Sequence, residues 1–203
     1  MQGENLLIME FKIDERGSWI SDSLEGHCFD PSLCRAIGSV LKHEGANTIV
    51  DLGCGPGWYV RGLCDLGFDA CGYDGNPYTA SISADIVENG RCKTLELTVP
   101  FDLQVRYDYV LSLEVGEHIP IQFEDLFIGN LLRHSKKGLI ISWGIVGQNG
   151  TGHVNCRDND YIIDKMTSKG AVLDYTASNY LRNKASLSWF CNSIMVFNLS
   201  SKD

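Results

Sequence analysis

Residues 48–58, TIVDLGCGPGW, decide how the rest of the chain is read. A short β-prone run, NTIVDLG, carries straight into Gly53, Gly55 and Gly57, and a helical pattern follows to about residue 66. Strand, glycine turn and helix in that order make a βα unit. Glycines at this spacing let the main chain turn tightly, and they let a ligand approach the backbone and the N-terminus of the next helix. A plain βα loop is the alternative. A dinucleotide-binding turn would read GxGxxG and carry a pyrophosphate. Here the spacing is GxGxG, with an acid, Asp51, two residues before the first glycine.

Working outward, residues 30–44 (DPSLCRAIGSVLKHE) place Leu33, Ile37, Val40 and Leu41 at helical spacing after an Asp-Pro start. FDACGYD (68–74) is a second strand, and a loosely ordered stretch containing Asp85 and Asn89 follows it. CKTLELT (92–98) and YDYVLSL (107–113) are the next strands, IQFEDLFIGNLLRHS (121–135) is an amphipathic helix, and KKGLIISWGI (136–145) is a fifth strand. Residues 156–170 read as a helix, and residues 171–181 and 186–199 as two final strands. Strands that are apolar throughout and alternate with helices imply a parallel sheet covered on both faces. Between the last two strands RNKAS leaves room only for a turn, so the final pair should be antiparallel. No repeat and no linker marks a second domain, so residues 1–203 form one.

Of the 203 residues, 44% are hydrophobic and 21% charged, the profile of a folded globular chain. The net charge is −9, from 26 acids against 17 bases, and no basic stripe appears; that disfavours nucleic acid as a partner. Lys136-Lys137 reads as a solvated helix end. The eight cysteines include no CxxC pair and sit mostly beside apolar residues, which suits small buried hydrophobes in a reducing compartment. The N-terminal MQGENLLIMEFKIDERG is too short in its apolar part and too charged for a signal peptide or a membrane span. The expected location is cytoplasmic, in the host cytoplasm for a viral protein, with no membrane partner; the oligomeric state is left open.

The second strand ends in GYDGN, so Asp74, Gly75 and Asn76 stand beside the glycine turn. An acid there can accept two hydrogen bonds from ribose hydroxyls. With VDLGCGPG, this pattern resembles the first motifs of the class I S-adenosylmethionine-dependent methyltransferases. The resemblance covers about residues 45–145 by motif and the rest by element order. It implies an α/β, Rossmann-like seven-stranded sheet, mostly parallel with an antiparallel last strand, and an N-terminal helical lid region within residues 1–44. It also implies S-adenosylmethionine as cofactor. Gly53, Gly55 and Gly57 would wrap its methionyl part, Asp51 would hold its amino group, and Asp74, Gly75 and Asn76 its ribose. Glu96, with Leu97 beside it, would approach the adenine, and Glu114 would border the transferable methyl. For Asp51 and Asp74 the other reading is a helix cap or turn.

Residues 113–120, LEVGEHIP, set Glu114, Glu117 and His118 at i, i+3 and i+4, on one side of a turn. Two carboxylates that close repel unless one is protonated or a cation joins them. Mg²⁺ prefers carboxylate oxygens, and imidazole suits Mn²⁺ better. The E-x-x-E-H spacing resembles metal-assisted O-methyltransferases, among them a small-RNA 2′-O-methyltransferase family and the ubiquinone-pathway enzymes. That likeness implies a divalent metal, Mg²⁺ or Mn²⁺, on Glu114, Glu117, His118 and a distant histidine. The candidate is His153, in a loop with Gly144, Gly147, Gly150 and Gly152. Glu117, His118 and His153 are then the candidate catalytic residues, because an alcohol must lose its proton to attack a methyl group. The alternatives are a helix cap for Glu117 and His118, a pocket-lining Glu114, and a solvent-exposed His153.

His27 and Trp19 precede or border the first helix and could touch cofactor or acceptor, or simply pack. Trp58 and Trp143 flank the expected pocket; a sugar ring could stack on either, with core packing the preferred reading for Trp143. The acidic surface disfavours RNA, and no amphipathic segment suits a polyprenyl substrate. The run from residue 142 to 162 is loosely similar to small sugar O-methyltransferases of large algal viruses, including enzymes acting on rhamnose. The sequence therefore favours O-methylation of a small-molecule or glycan hydroxyl. The alternatives are another vicinal diol, including an RNA end, and a non-catalytic cofactor-binding subunit.

Overall fold

The computed structural model describes residues 12–88 and 90–199. Residues 1–11, which hold the apolar part of the N-terminal segment read above as neither signal nor span, and Asn89 lie outside the described residues. Among the described residues no helix is long and apolar enough to cross a membrane.

A two-stranded hairpin, β1 (Lys12–Ile13) and β2 (Trp19–Ile20), precedes α1 (Pro31–His43). Then follow β3 (Thr48–Leu52), α2 (Trp58–Asp65), β4 (Asp69–Asp74), a short α3 (Thr79–Ile82), β5 (Cys92–Thr94), β6 (Tyr107–Ser112), α4 (Glu124–His134) and β7 (Ser135–Ile141). After α5 (Asn159–Ser168) come β8 (Ala171–Leu173), α6 (Tyr175–Lys184), α7 (Ser188–Ser193) and β9 (Met195–Leu199). The seven-stranded sheet has the order β5-β4-β3-β6-β7-β9-β8, and only β9 runs against its neighbours.

Alternation along β3 explains why the sheet is covered on both sides. Ile49 joins the apolar core formed with α1, α2, α6 and α7, while Val50 and Leu52 join the core beneath α4 and α5. Both cores are closed to solvent: Leu33, Ile37, Val60 and Leu63 are fully buried in the first, and Val50, Leu52, Val110 and Leu139 in the second. A strand buried on both faces must be apolar at nearly every position, so Asp51 stands out at the sheet's carboxyl end.

Four readings of the sequence need correction. The final strands do not meet through a tight turn. Residues 174–193 hold two helices, and β9 returns between β7 and β8; the antiparallel pairing stands, for a different reason. Aromatic and β-branched residues in YTASNY and SWFC imitate strands, but the Asp174 carboxylate accepts the Ala177 N–H at 2.8 Å and starts a helix whose Leu181 is buried. Lys136 and Lys137 open β7 rather than end a helix, and Lys137 Nζ donates to the Glu44 and Gly45 carbonyls. Of the eight free cysteines, Cys28 and Cys191 are exposed and only Cys34, Cys54 and Cys92 are buried. Within the expected helical lid, α1 is helical, but residues 12–30 are hairpin and turns.

One buried acid ties the N-terminal helix to the α6–α7 link. Asp30 caps α1 through Oδ1, accepting Ser32 N–H (3.0 Å) and Leu33 N–H (2.9 Å). Its Oδ2 accepts Ser186 N–H (2.5 Å) and Leu187 N–H (2.9 Å). Burial pushes its pKa up, but these backbone donors outweigh burial and hold it below the usual value. A depressed carboxyl contributes stability above its unfolded pKa, and that contribution is lost as pH falls through the folded value. Asp30→Ala should therefore cost about 3 kcal/mol at pH 7 and less at acid pH. Urea titrations of both proteins at pH 7 and below pH 4 check this; an equal difference at both would contradict it.

Candidate active site

The carboxyl ends of β3, β4 and β6 open into a cleft of about 390 Å³, roofed by the β1–β2 hairpin and by α7. This is the customary ligand position in open α/β sheets. On one side lies the glycine turn. Gly53, Gly55 and Gly57 all adopt positive φ (97°, 49° and 86°), which a side chain would oppose. Neighbours close off each glycine as well: a Cβ at Gly53 would fall 2.2 Å from Val115 Cγ2, and one at Gly57 2.7 Å from Cys92 Sγ.

Asp74 braces this turn. Its Oδ2 accepts Gly55 N–H and its Oδ1 accepts Asn76 N–H, both at 2.8 Å. Each oxygen keeps a lone pair for a ligand. Asp51 lines the cleft almost fully buried; burial first, then Cys92 and Asp74, push its pKa well above the usual carboxylate range. A neighbouring cation would relieve that penalty. Gly75 fits against Ser18 of the hairpin. Asn76 is committed to structure, since its Nδ2 donates to the Ser21 carbonyl at 2.7 Å and its Oδ1 accepts Tyr78 N–H at 3.1 Å. Leu97 forms apolar wall, and Glu96, also at the cleft, receives Thr98 N–H and Oγ1–H at 2.7 and 2.6 Å.

The opposite side is built on the turn after β6. Glu114 has φ 54°, an unfavourable conformation for a side chain, fixed by donation of its N–H to Ser142 Oγ at 2.8 Å. Its carboxylate accepts Gln148 Nε2 at 2.5 Å and Ser193 Oγ at 3.2 Å. Glu117 and His118 follow in a 3-10 turn (Gly116–His118). Glu117 is fully buried, and burial, then the Glu114 charge, push its pKa well above the usual range, against the smaller opposing pull of the Glu117 and Gly144 N–H groups. His118 Nδ1 is also buried without a hydrogen-bond partner; burial, then His153, lower its pKa to about 4.

His153 completes the group. Its Nε2 lies 3.9 Å from Glu117 Oε1, and its ring meets that of His118 edge-on at 4.9 Å. One ligand atom from each of Glu117, His118 and His153 fits within 4.8 Å of the others. The structure thus brings together three of the four expected metal ligands, while Glu114 points to Gln148 and Ser193. His153 is half-buried rather than a free loop side chain, and its Nδ1 lies 3.1 Å from the Gln148 carbonyl.

Aromatic residues line the cleft. Trp19 contacts His27 and His118, each at 5.5 Å between ring centroids, and Trp58 stands edge-on to His27 at 6.4 Å. His27 sits over Gly55, with its Nε2 buried and unpaired and its pKa lowered by burial despite Asp74. Trp143 is core, as its sequence position suggested. His134 ends α4 but is buried, accepting Leu103 N–H at Nε2 and stacking on Phe101. Sequence reasoning missed Gln148, Ser193 and Trp189. Ser193 and Trp189 were hidden because α7 was read as strand, and Gln148 carries no local signal.

A methyltransferase-domain family model matches residues 29–141. No curated protein matches the chain. The fold is similar to that of a sugar N-methyltransferase from Streptoalloteichus sp ATCC 53650, at 13% identity over 89% of this chain and 98% of that one, with a TM-score of 0.68. An amino pentose methyltransferase from Micromonospora echinaspora, solved with S-adenosylmethionine, gives 11% identity, coverage of 82% and 90%, and a TM-score of 0.66. Magnesium protoporphyrin IX methyltransferase from Synechocystis PCC 6803, with bound S-adenosylhomocysteine, gives 17%, coverage of 84% and 83%, and 0.62.

Proposed function

The chain belongs to the methyltransferase-domain family, and from that membership we propose that it transfers the methyl group of S-adenosylmethionine to a hydroxyl of a small saccharide. The observation carrying this reading is the grouping of Glu117, His118 and His153: the two histidines line the cleft that Asp51 and Asp74 also line, and the fully buried Glu117 carboxyl lies behind them, its Oε1 3.9 Å from His153 Nε2. A sugar amine, once it has lost its ammonium proton, needs no metal to attack. A hydroxyl needs such a group, because it is a poor nucleophile until its proton is taken.

The donor set fits both implied groups. Asp51, whose charge is disfavoured by burial, would face the donor's ammonium, and Asp74 would accept from the ribose hydroxyls. Glu117, His118 and His153 would hold a divalent cation, and two imidazoles favour Mn²⁺ or Co²⁺ over Mg²⁺. When bound, the sulfonium supplies an electrophilic methyl and the cation supplies Lewis acidity. His118, its pKa lowered to about 4, is neutral at pH 7, the form in which an imidazole nitrogen can ligate a cation. Trp19 of the hairpin, Trp58 and Trp189 all line the cleft, which supplies aromatic surface for the apolar side of a pyranose.

Two structural neighbours act on sugars, which supports the acceptor class; one methylates nitrogen, so an amino sugar is the second reading. Labelled cofactor, neutral and amino monosaccharides, and a chelator separate the two. The expected result is transfer to a neutral sugar, reduced about 100-fold by chelation and restored by Mn²⁺. Transfer confined to amino sugars and indifferent to chelator would overturn the hydroxyl reading. Cofactor binding without transfer to any acceptor would favour the non-catalytic one.

A further inference from the structure

Glu124, the first residue of α4, is fully buried, yet nothing in the chemistry above uses it. Its Oε1 accepts Tyr161 Oη–H at 2.7 Å and Lys165 Nζ at 2.6 Å. Its Oε2 accepts Asn155 Nδ2 at 2.9 Å and Arg157 Nε at 3.4 Å. All four donors lie on the loop following His153 or on α5. A buried carboxylate with this many donors is fixed in place, and so are its partners.

Asn155 passes that constraint to the site. Its backbone N–H and that of Val154 both donate to the Glu117 carbonyl at 2.9 Å, and its own carbonyl accepts Trp143 Nε1 at 2.7 Å. Arg157 N–H closes the same loop on the Gly144 carbonyl at 2.9 Å. Trp143 packs so tightly on Gly116 that a Cβ there would lie 2.2 Å from its ring. The turn bearing Glu117 and the loop bearing His153 therefore meet at Val154 and Asn155, and of these two only Asn155 is tied to Glu124. We infer that Glu124 is a positioning residue: acting through Asn155, it sets the approach of His153 to Glu117. Its consequence for turnover rests on the proposed methyl transfer; the geometric link does not.

A purely structural ion pair would give a different pattern, because charge and clamp can be removed separately. Asn155→Leu keeps the Lys165 and Arg157 pairs and loses the side-chain clamp. Glu124→Gln loses the charge but keeps an amide oxygen for Asn155, and Glu124→Leu loses both. The readout in ligand-free protein is the His153 imidazole Cε1–H signal in proton–carbon NMR spectra; in the enzyme assay it is kcat against the donor KM. Asn155→Leu and Glu124→Leu should shift the His153 signal and lower kcat about 10-fold or more, with the donor KM within about twofold. Glu124→Gln should recover most of both losses. If Glu124→Leu does not fold, Asn155→Leu carries the test alone. A His153 signal unmoved in Asn155→Leu, or a donor KM that rises in step with the loss of kcat, overturns the inference. A shifted signal in a protein that methylates nothing supports the clamp and removes only the proposed function.

Discussion

Glu117→Gln should lower kcat by about 10²- to 10⁴-fold while leaving donor affinity unchanged and making the ligand-free protein more stable near neutral pH. The two halves come from one fact. Glu117 is fully buried, and burial and the Glu114 charge raise its pKa. A raised carboxyl means that folding disfavours the ionised form. The unfolded chain ionises above about pH 4.3 while the folded chain resists, so stability falls as pH rises from there towards the folded value. Glutamine is neutral and nearly isosteric, and removes that penalty; a gain of about 1–2 kcal/mol at pH 7.5 should vanish below pH 4. Thermal melts at the two pH values, with steady-state kinetics at saturating donor, check it. Glu117→Gln with wild-type turnover would remove this carboxyl from the chemistry.

Asp74→Ala should weaken donor binding by about 100-fold or more. The carboxylate braces the turn through Gly55 N–H and Asn76 N–H, both at 2.8 Å, and would also meet the ribose. A hydrogen bond to a charged group contributes about 1.5–3 kcal/mol, and loss of two such bonds accounts for that factor even before the turn relaxes. Gly55 at φ 49° depends on its fixed surroundings, so relaxation should add to the effect. Asp74→Asn keeps one acceptor oxygen and should fall between. Isothermal titration with S-adenosylmethionine measures all three proteins. An alanine variant within threefold of wild type would mean that Asp74 serves the turn alone.

The sequence made the first half of the fold readable because local signals there agree. NTIVDLG, the glycines and the helix after them specify a βα unit without outside help, and Asp51 and Asp74 follow from strand ends. Past residue 170 local and tertiary preferences conflict. YTASNY and SWFC carry strand-like side chains, but burial of Leu181 and Phe190 against the α1 side makes them helical. The grouping of the candidate residues was legible to the same degree. Glu117 and His118 sit side by side in a turn, and His153 lies in a glycine-rich loop that any reader would mark. The fate of Glu114 was not legible, since Gln148 and Ser193 approach it from 34 and 79 residues away. Nor was Glu124, whose partner Lys165 lies 41 residues on and whose place at a helix start suggests only a favourable helix charge.

The direct test of the whole account is where the donor's methyl group sits. With S-adenosylmethionine carrying a ¹³C-labelled S-methyl, carbon-edited NOE spectra of the complex should show contacts from that methyl to the His118 ring protons, and these should disappear in His118→Ala. A donor that binds tightly but whose methyl shows contacts to neither His118 nor His153 would contradict it.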